Sequence, residues 1–406
     1  MRFQNVLERS PQIHYIPDFD PKPETPWYGS KALWYEGAPY QSQKTKVFAH
    51  IGFPEEAKTR KVPAVVLVHG GGGHAYPEWI RLWNEKGFAA IAMDTTGFFP
   101  SKQWKGLVGT EDWTGNKGLY VHQLYDDLAE PGYAVGPDNS EMKDYAEPLE
   151  EQWMYHAVSA VILAHNILRN DERVDPSKTG IVGISWGGVI ASLTIGYDNR
   201  YCFAVPIYGS GYIDAPPAPP RIPDWFRQPE VKANWSAADR FDRIHFPVLW
   251  QCWRREGAFS IGGNSLSYQA TKNANAFFSI RPDMDHSHIH GWGAPESYRF
   301  AQKTVSGKLP FPQIKNEPAD FAPFICPISV PEDFTQLQVQ LVCSETPLHY
   351  GADGKPANAW KSQPVTLCDG VLTGQAPETA CCYYLELTGK ANGIDYVTST
   401  ALVHRK

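Results

Sequence analysis

The stretch from residue 179 to residue 188, with the sequence TGIVGISWGG, constrains the fold more than any other part of the chain. A β-branched apolar run ends in Gly-x-Ser-x-Gly, and small and aliphatic residues continue from there at helical spacing. This pattern predicts a nucleophile elbow, a sharp turn from a strand into a helix that holds the hydroxyl of Ser185 outward on a strained corner. Gly183 and Gly187 are expected to leave room for the neighbouring backbone in this turn.

The segments around the elbow predict a parallel sheet flanked by helices. Continuous apolar runs are typical of strands buried on both faces; they lie at residues 62–70, 88–94, 202–208, 247–253 and 276–281. Helical patterns alternate with these runs at residues 77–86, 148–170, 264–275 and 296–307. This alternation predicts an α/β domain over residues 62–310, with right-handed parallel strand–helix–strand units.

The rest of the chain has different patterns. Residues 1–61 are rich in Pro, Trp and Tyr and are expected to wrap the α/β domain, with residues 44–53 as a hairpin strand that leads into the sheet. Residues 98–147 lack periodicity, which is typical of a lid or binding loop, although a surface insertion without a role is the alternative. Short alternating strands with Gly and Pro turns predict a small β-sandwich over residues 311–406.

A serine at an elbow needs a base within hydrogen-bond reach and an acid that orients the base. In a sheet of this kind the expected chain order is serine, acid, histidine. His286 is the first histidine on the loop after the last predicted strand, where a base aimed at the elbow is expected. His288 is the alternative, and His290 is a weaker one because the base should lie close to the strand end.

Two carboxylates are candidates for the acid. Glu256 stands at the tip of the strand before the histidine loop, and Asp214 follows the preceding strand. We favour Glu256, because an adjacent Arg helps to keep a partly buried carboxylate ionised. Arg254 and Arg255 precede it directly, so a plain surface ion pair is the alternative for this glutamate.

Acyl transfer also needs hydrogen-bond donors for the developing oxyanion. The amide of Trp186, directly after the nucleophile, is one candidate, and the amides of Gly71 and Gly72 in a run of glycines are the others. This run lacks the Lys and Ser/Thr of a phosphate-binding loop. His69 and His74 lack an acidic or cysteine partner at ligand spacing, so we expect no metal and no cofactor.

The chain contains 14 Trp residues, and an aromatic surplus often lines clefts that bind sugars or flat organic groups. A large aromatic core is the alternative explanation. The aromatic residues predicted to form walls of a substrate cleft are Trp104, Trp113, Trp253, Trp292 and Tyr76. The substrate is therefore expected to be a small molecule or an oligosaccharide.

Charge and hydropathy exclude several classes of partner. The net charge is −7 and no basic run occurs, so nucleic acid is not an expected partner. No stretch of about eighteen apolar residues occurs, so no membrane span is expected. Seven cysteines without a disulfide or metal-ligand pattern fit a reducing cytoplasm. The oligomeric state stays open, a homo-oligomer included.

Four motifs carry a resemblance to a known family: HGGGGH at residues 69–74, WNEKGFAAIAMD at 83–94, GISWGG at 183–188 and MDHSH at 284–288. With them the chain resembles the α/β-hydrolase superfamily, and within it the bacterial acetyl xylan esterase and dienelactone hydrolase-like proteins. The resemblance covers residues 62–307 and implies a serine esterase that removes acetyl or other small acyl groups, with carbohydrate as a candidate substrate. A prolyl-type peptidase and a non-catalytic carbohydrate-binding homologue are the alternatives.

The chain departs from this family at the acid. Relatives often carry Asn-Gly-Thr-Asn-Asp where residues 252–256 read CWRRE. The acid that the resemblance implies by position is therefore Glu256, and its longer side chain must be accommodated.

Overall fold

The computed structural model describes residues 2–23, 25, 28–97, 134, 136–137, 142–220, 222 and 224–405, together with the backbone of residues 99–100 and 125–126. Most of the predicted lid over residues 98–147, with Trp104 and Trp113, lies outside the described residues. No described helix is both long enough and apolar enough to cross a membrane.

The described α-helices are α1 (Gln4–Leu7), α2 (Pro77–Asn84), α3 (Trp153–Asn170), α4 (Trp186–Ile195), α5 (Pro229–Trp235), α6 (Ile261–Ala270), α7 (His288–Gly293) and α8 (Pro295–Val305). The first eleven strands are β1 (Ile13–Tyr15), β2 (Lys31–Glu36), β3 (Lys46–Gly52), β4 (Val62–Val68), β5 (Ala89–Met93), β6 (Phe99–Pro100), β7 (Tyr125–Asp126), β8 (Val174–Ile184), β9 (Phe203–Ile207), β10 (Leu249–Trp253) and β11 (Phe277–Arg281). The remaining strands are β12 (Gln313–Ile314), β13 (Phe324–Ser329), β14 (Thr335–Ser344), β15 (Trp360–Pro364), β16 (Thr366–Cys368), β17 (Val371–Gly374), β18 (Cys382–Ala391), β19 (Ile394–Ser399) and β20 (Val403–His404).

A large mixed sheet forms the centre of the molecule, with the strand order β1-β2-β3-β5-β4-β8-β9-β10-β11-β19-β18-β14-β15. The strands from β5 to β11 in this order run parallel, and antiparallel strands flank them on both sides. Every residue of β5 and β9 is buried, as the continuous apolar runs predict. Parallel strands flanked by helices, with a strand-to-helix elbow after β8, make this an α/β-hydrolase fold.

The direction of strand addition reverses next to β4. The chain passes from β4 to β5 on one side and then returns to place β8 on the other side of β4. Ligands of open α/β sheets bind at the carboxyl ends of the strands beside such a reversal. The loop after β4 and the elbow after β8 therefore lie side by side.

Both ends of the chain extend this sheet. Residues 1–61, predicted to wrap the domain, contribute β1, β2 and β3, and β3 pairs with β5 as the predicted hairpin strand. At the other end, the separate sheet β12-β13-β17-β16 shares an apolar core with β14 and β18; its residues include Cys326, Leu341, Leu372 and Leu385. This is the predicted sandwich, but β19 also pairs with β11, so one of its sheets is continuous with the main sheet.

Helix α6 begins three residues before the predicted helical segment. Its N-cap is Ser260, whose Oγ accepts a hydrogen bond from the amide of Gly263 at 2.9 Å. The glycines at positions 262 and 263 resemble a loop in the sequence. Both are buried in the structure, and a Cβ at Gly263 would lie 2.5 Å from the carbonyl oxygen of Tyr212, so close packing explains this glycine.

Candidate active site

The elbow holds Ser185 in a strained conformation. Strand β8 ends at Ile184, helix α4 begins at Trp186, and Ser185 between them has φ 57° and ψ −119°. A Cβ added to Gly183 would lie 2.0 Å from the carbonyl oxygen of Gly187, and one added to Gly187 would lie 2.1 Å from that of Val68. Larger side chains at either position would therefore displace the backbone that supports the serine.

His286 lies within hydrogen-bond distance of both Ser185 and Glu256. Its Nε2 is 2.9 Å from Ser185 Oγ, and its Nδ1 is 2.9 and 2.8 Å from the two carboxylate oxygens of Glu256. With the ring proton on Nδ1, the imidazole donates to Glu256 and accepts from the serine hydroxyl. The structure thus brings together the three residues that the chain order serine, acid, histidine predicts.

Glu256 is buried, with 1 % of its surface exposed. Besides His286, its Oε1 accepts hydrogen bonds from the amides of Ala258 at 2.6 Å and Phe259 at 3.4 Å. These donors satisfy a carboxylate that would be costly to bury alone. The alternative acid, Asp214, forms an ion pair with Lys232 at 2.7 Å instead.

The two arginines beside Glu256 do not pair with it. Arg255 is exposed, and the guanidinium of Arg254 contacts Glu386 and Tyr384 of strand β18. The expectation that an adjacent Arg keeps Glu256 ionised is therefore wrong in its detail. Among the described residues, the hydrogen-bond donors to this carboxylate are the imidazole and the two amides of the following turn.

The glycine run after β4 lies against the elbow. A Cβ on Gly70 would be 2.9 Å from the Cβ of Ser185, and one on Gly71 would be 2.9 Å from Cδ1 of Trp186. Within the loop, the amide of Gly73 donates to the carbonyl of Gly70 at 3.0 Å. Among the described residues, no acceptor contacts the amides of Gly71 and Gly72, and Gly72 has φ 67°.

The amide of Trp186 is also available as a donor. Trp186 is the first residue of α4, and the first hydrogen bond of the helix runs from Val189 N–H to the Ser185 carbonyl at 3.1 Å. The amides before that bond have no partner within the helix. The amides predicted to receive an oxyanion therefore lie next to the serine, on the elbow and on the glycine loop.

His288, the alternative base, contacts the glycine loop. Its Nε2 accepts a hydrogen bond from the amide of Gly70 at 2.8 Å, and its ring centroid lies 5.1 Å from that of Tyr76. His69 contacts the following peptide group, because its Nδ1–H donates to the Gly70 carbonyl at 2.8 Å while its Nε2 accepts from the amide of Thr95 at 3.0 Å. Burial lowers the pKa of His69, which keeps this ring neutral.

The aromatic residues predicted as cleft walls lie in several places. Tyr76 and Trp292 are buried beside the glycine loop with ring centroids 5.0 Å apart, and Trp253 is half-buried at the end of β10. Two further described rings pack against Trp186, the residue directly after the elbow serine. Its indole stacks on Phe226 at 5.6 Å and meets Phe259 edge-on at 6.0 Å.

Sequence reasoning missed one residue beside the base. Tyr208, directly after β9, has φ 64°, and its hydroxyl donates to the carbonyl of Asp285 at 2.6 Å. Its ring centroid is 4.6 Å from that of His286. A bulky residue in the left-handed region is uncommon, and it persists only where its surroundings hold it. No local sequence pattern marks this position.

The chain is similar to several proteins of known structure. No family model matches the chain, and no curated protein matches it either. Acetyl xylan esterase 1 from Thermoanaerobacterium sp. JW/SL YS485 is similar at 16 % identity and TM-score 0.48, over 75 % of this chain and 92 % of that one. An acetyl xylan esterase from Paenibacillus sp. R4 is similar at 18 % identity and TM-score 0.49, over 74 % and 89 % of the two chains.

An acylaminoacyl peptidase from Pyrococcus horikoshii is similar at 14 % identity and TM-score 0.44, over 74 % of this chain and 42 % of that one. All three TM-scores are below 0.5, so these likenesses carry no argument about activity. The strand order and the elbow of the chain itself define the class of protein, one with the α/β-hydrolase fold.

Proposed function

We propose that the protein is a hydrolase, and more narrowly a serine esterase that acts through an acyl-enzyme on Ser185. The observation that carries this proposal is the continuous chain of hydrogen bonds from Ser185 Oγ through His286 to the buried carboxylate of Glu256, at 2.9 and 2.8 Å. A serine hydroxyl is a weak nucleophile, and a base held in this geometry removes its proton as the new bond forms.

In the proposed acylation, Ser185 Oγ attacks the carbonyl carbon of the ester while His286 Nε2 takes the serine proton. Glu256 stabilises the imidazolium through Nδ1–H, and the oxyanion accepts hydrogen bonds from the amides of Trp186 and of the glycine loop. When the tetrahedral intermediate collapses, the bond to the alcohol oxygen breaks and the alcohol leaves with the proton from His286. Water then attacks the acyl-enzyme by the same route and releases the carboxylic acid.

The crowding around the serine supports a small acyl group. Trp186 lies against Gly71, and Phe226 and Phe259 pack against its indole, so bulky aromatic rings lie beside the serine. An acetyl ester of a carbohydrate combines a small acyl group with an alcohol part that aromatic side chains commonly bind. It is also the substrate class that the sequence motifs imply. The steps above require no metal, cofactor, nucleic acid or membrane.

Hydrolysis of p-nitrophenyl acetate and of acetylated xylo-oligosaccharides by the purified full chain tests the proposal. We expect both to be hydrolysed, and we expect the Ser185→Ala variant to lose at least about 10⁴-fold in kcat. If the wild-type protein hydrolyses neither substrate, or if the variant hydrolyses them at the wild-type rate, the esterase assignment is overturned. Cleavage restricted to aminoacyl-proline substrates would favour a peptidase, and sugar binding without any serine labelling would favour a non-catalytic protein.

A further inference from the structure

We infer that the C-terminal strands β18 and β19 hold the acid and the base of the site in place, and that Arg254 is the positioning residue for Glu256. This role rests on the proposed function, because it concerns the geometry of the same site. Arg254 follows strand β10 directly and stands two residues before Glu256. Its amide donates to the carbonyl of Arg281 at 2.8 Å, which joins the ends of the strands that carry the acid and the base.

The guanidinium of Arg254 is bound by two residues of β18. Its Nε donates to the hydroxyl of Tyr384 at 2.7 Å, and its Nη2 donates to the carboxylate of Glu386. Tyr384 and Glu386 are both buried, and they lie on one face of the strand because side chains alternate along it. The other oxygen of Glu386 accepts from the side-chain amide of Gln340 on β14, at 2.5 Å.

This arrangement fixes the arginine firmly. Burial opposes its charge, but Tyr384 and Glu386 raise the pKa of Arg254 above its ordinary value, so it stays protonated. A buried ion pair is costly to break, because separation leaves an unpaired charge in the interior. The turn from Trp253 to Glu256 is therefore anchored to the C-terminal strands at a point two residues from the acid.

The loop that carries His286 is connected to the C-terminal strands in a similar way. Arg281, the last residue of β11, donates from Nε and Nη2 to Asp283 at 3.1 and 2.9 Å, and from Nη1 to the buried Glu296 at 2.6 Å. The same oxygen of Glu296 accepts from the amide of Val397 on β19 at 2.8 Å. Strands β18 and β19 pair with each other, with Glu386 opposite Ser399. Both arginines are thus attached to one hydrogen-bonded pair of strands.

Arg254, Arg281 and their partners are inferred to position one contact, the hydrogen bond between His286 Nδ1 and Glu256 at 2.8 Å. A misplacement of about 1 Å by a change far from the chemistry can cost a factor of about 100 in rate. Loss of the Arg254 anchor should therefore weaken the orientation of the imidazole while the serine, the elbow and the amides stay in place.

The test uses Glu386→Gln and Tyr384→Phe in the full chain, with Asp333→Asn as the matched control. Asp333, between β13 and β14, also pairs with a buried arginine, Arg299 of α8, at 2.8 and 3.1 Å. Among the described residues, the other hydrogen bond of Arg299 runs from its Nε to the carbonyl of Pro310 and not to the loop of Glu256 or of His286. The readouts are the melting temperature, KM, and kcat per active site titrated with a fluorophosphonate.

For Glu386→Gln we expect kcat per titrated site to fall about tenfold or more, with KM changed less than about twofold. Tyr384→Phe removes one hydrogen bond and keeps the ring, so we expect a smaller fall of the same kind from a variant that folds. Asp333→Asn should lower the melting temperature and keep the wild-type kcat. Wild-type kcat in both Glu386→Gln and Tyr384→Phe would overturn the inference.

A second measurement separates this inference from the proposed function, because it needs no turnover. The Nδ1 proton of His286 is hydrogen-bonded to Glu256, and its proton NMR signal at low field is identified by its loss in His286→Ala. We expect this signal to broaden or shift in Glu386→Gln and to stay unchanged in Asp333→Asn. An unchanged signal in Glu386→Gln would refute the positioning role even if the wild-type protein hydrolyses no ester.

Discussion

The two halves of the site are held in different ways. Ser185 is held by close backbone contacts, since Gly183, Gly187 and the carbonyl of Val68 leave no room between the elbow and β4. The acid and base are held by side chains from far along the chain, as in the pair formed by Arg254 with Glu386, 132 residues later. The nucleophile therefore depends on a local sequence motif, whereas the acid and base depend on assembly of the C-terminal strands.

The largest loss of kcat is expected at one of the two histidines of the loop after β11, and the other histidine serves as the comparison. His286→Ala removes the base, and we expect kcat on p-nitrophenyl acetate to fall by about 10⁴-fold or more. His288→Ala removes the acceptor of the Gly70 amide at 2.8 Å together with the ring contacts to Tyr76 and Trp292. We expect a loss of about tenfold, which is less than the loss of about 100-fold or more that follows removal of an oxyanion-hole donor itself. Equal losses in the two variants would contradict the assignment of His286 as the base.

The acid is tested next. Glu256→Gln keeps the size of the side chain, but its neutral amide no longer stabilises an imidazolium and can present NH₂ to Nδ1. We expect kcat to fall by about 10³-fold. Asp214→Asn is the control, since Asp214 pairs with Lys232 at 2.7 Å and should keep the wild-type rate. A full loss of activity in Asp214→Asn would show that the acid has been misassigned.

The close packing of the elbow is tested by measuring the free energy of unfolding. Gly183→Ala places a Cβ 2.0 Å from the carbonyl oxygen of Gly187, and we expect it to lower the free energy of unfolding by about 3 kcal/mol or more. Gly293→Ala at the end of α7 meets nothing within 4 Å and should change it by less than about 1 kcal/mol. Urea denaturation of both variants makes the comparison, and similar midpoints would refute the tight packing of the elbow.

The last prediction concerns the pH dependence of stability. Burial raises the pKa of Glu78 on α2 to about 8, and among the described residues neither carboxylate oxygen has a hydrogen-bond partner. Between its ordinary pKa and this value the folded chain binds a proton that the unfolded chain releases, so stability falls as pH rises through this window.

Glu78→Gln should remove this dependence. We expect the melting temperature of the wild-type protein to fall more between pH 5 and pH 8 than that of the variant, as measured by differential scanning calorimetry. Glu345→Gln, which changes an exposed carboxylate paired with Lys361, is the control and should follow the wild type. Identical pH dependence in Glu78→Gln and the wild type would contradict a raised pKa at Glu78.

Much of the fold could be predicted because buried parallel strands leave continuous apolar runs. The prediction was weaker where the signal depends on packing. Strand β2 has no strict alternation in KALWYE and was not predicted, and the glycines at the start of α6 conceal a helix. The pairing of β19 with β11 joins residues over a hundred positions apart, so no local pattern could have indicated that the sandwich continues the main sheet.

In the site, too, features with a local sequence signal could be predicted and features that depend on packing could not. The elbow, the glycine run and the histidine loop each follow a strand end, so the sequence predicts their convergence. Tyr208 and the partners of Arg254 have no such marker, because their roles depend on which distant residue lies opposite. The preference for Glu256 over Asp214 agrees with the geometry, although the reason given for it, the adjacent arginine, does not.

Labelling with a fluorophosphonate, followed by peptide mass spectrometry, determines whether Ser185 is the activated nucleophile. We predict one adduct, on the peptide that contains Ser185, with no labelling in Ser185→Ala and slow labelling in His286→Ala. Failure of the wild-type protein to react, or an adduct on a different residue, would contradict this prediction.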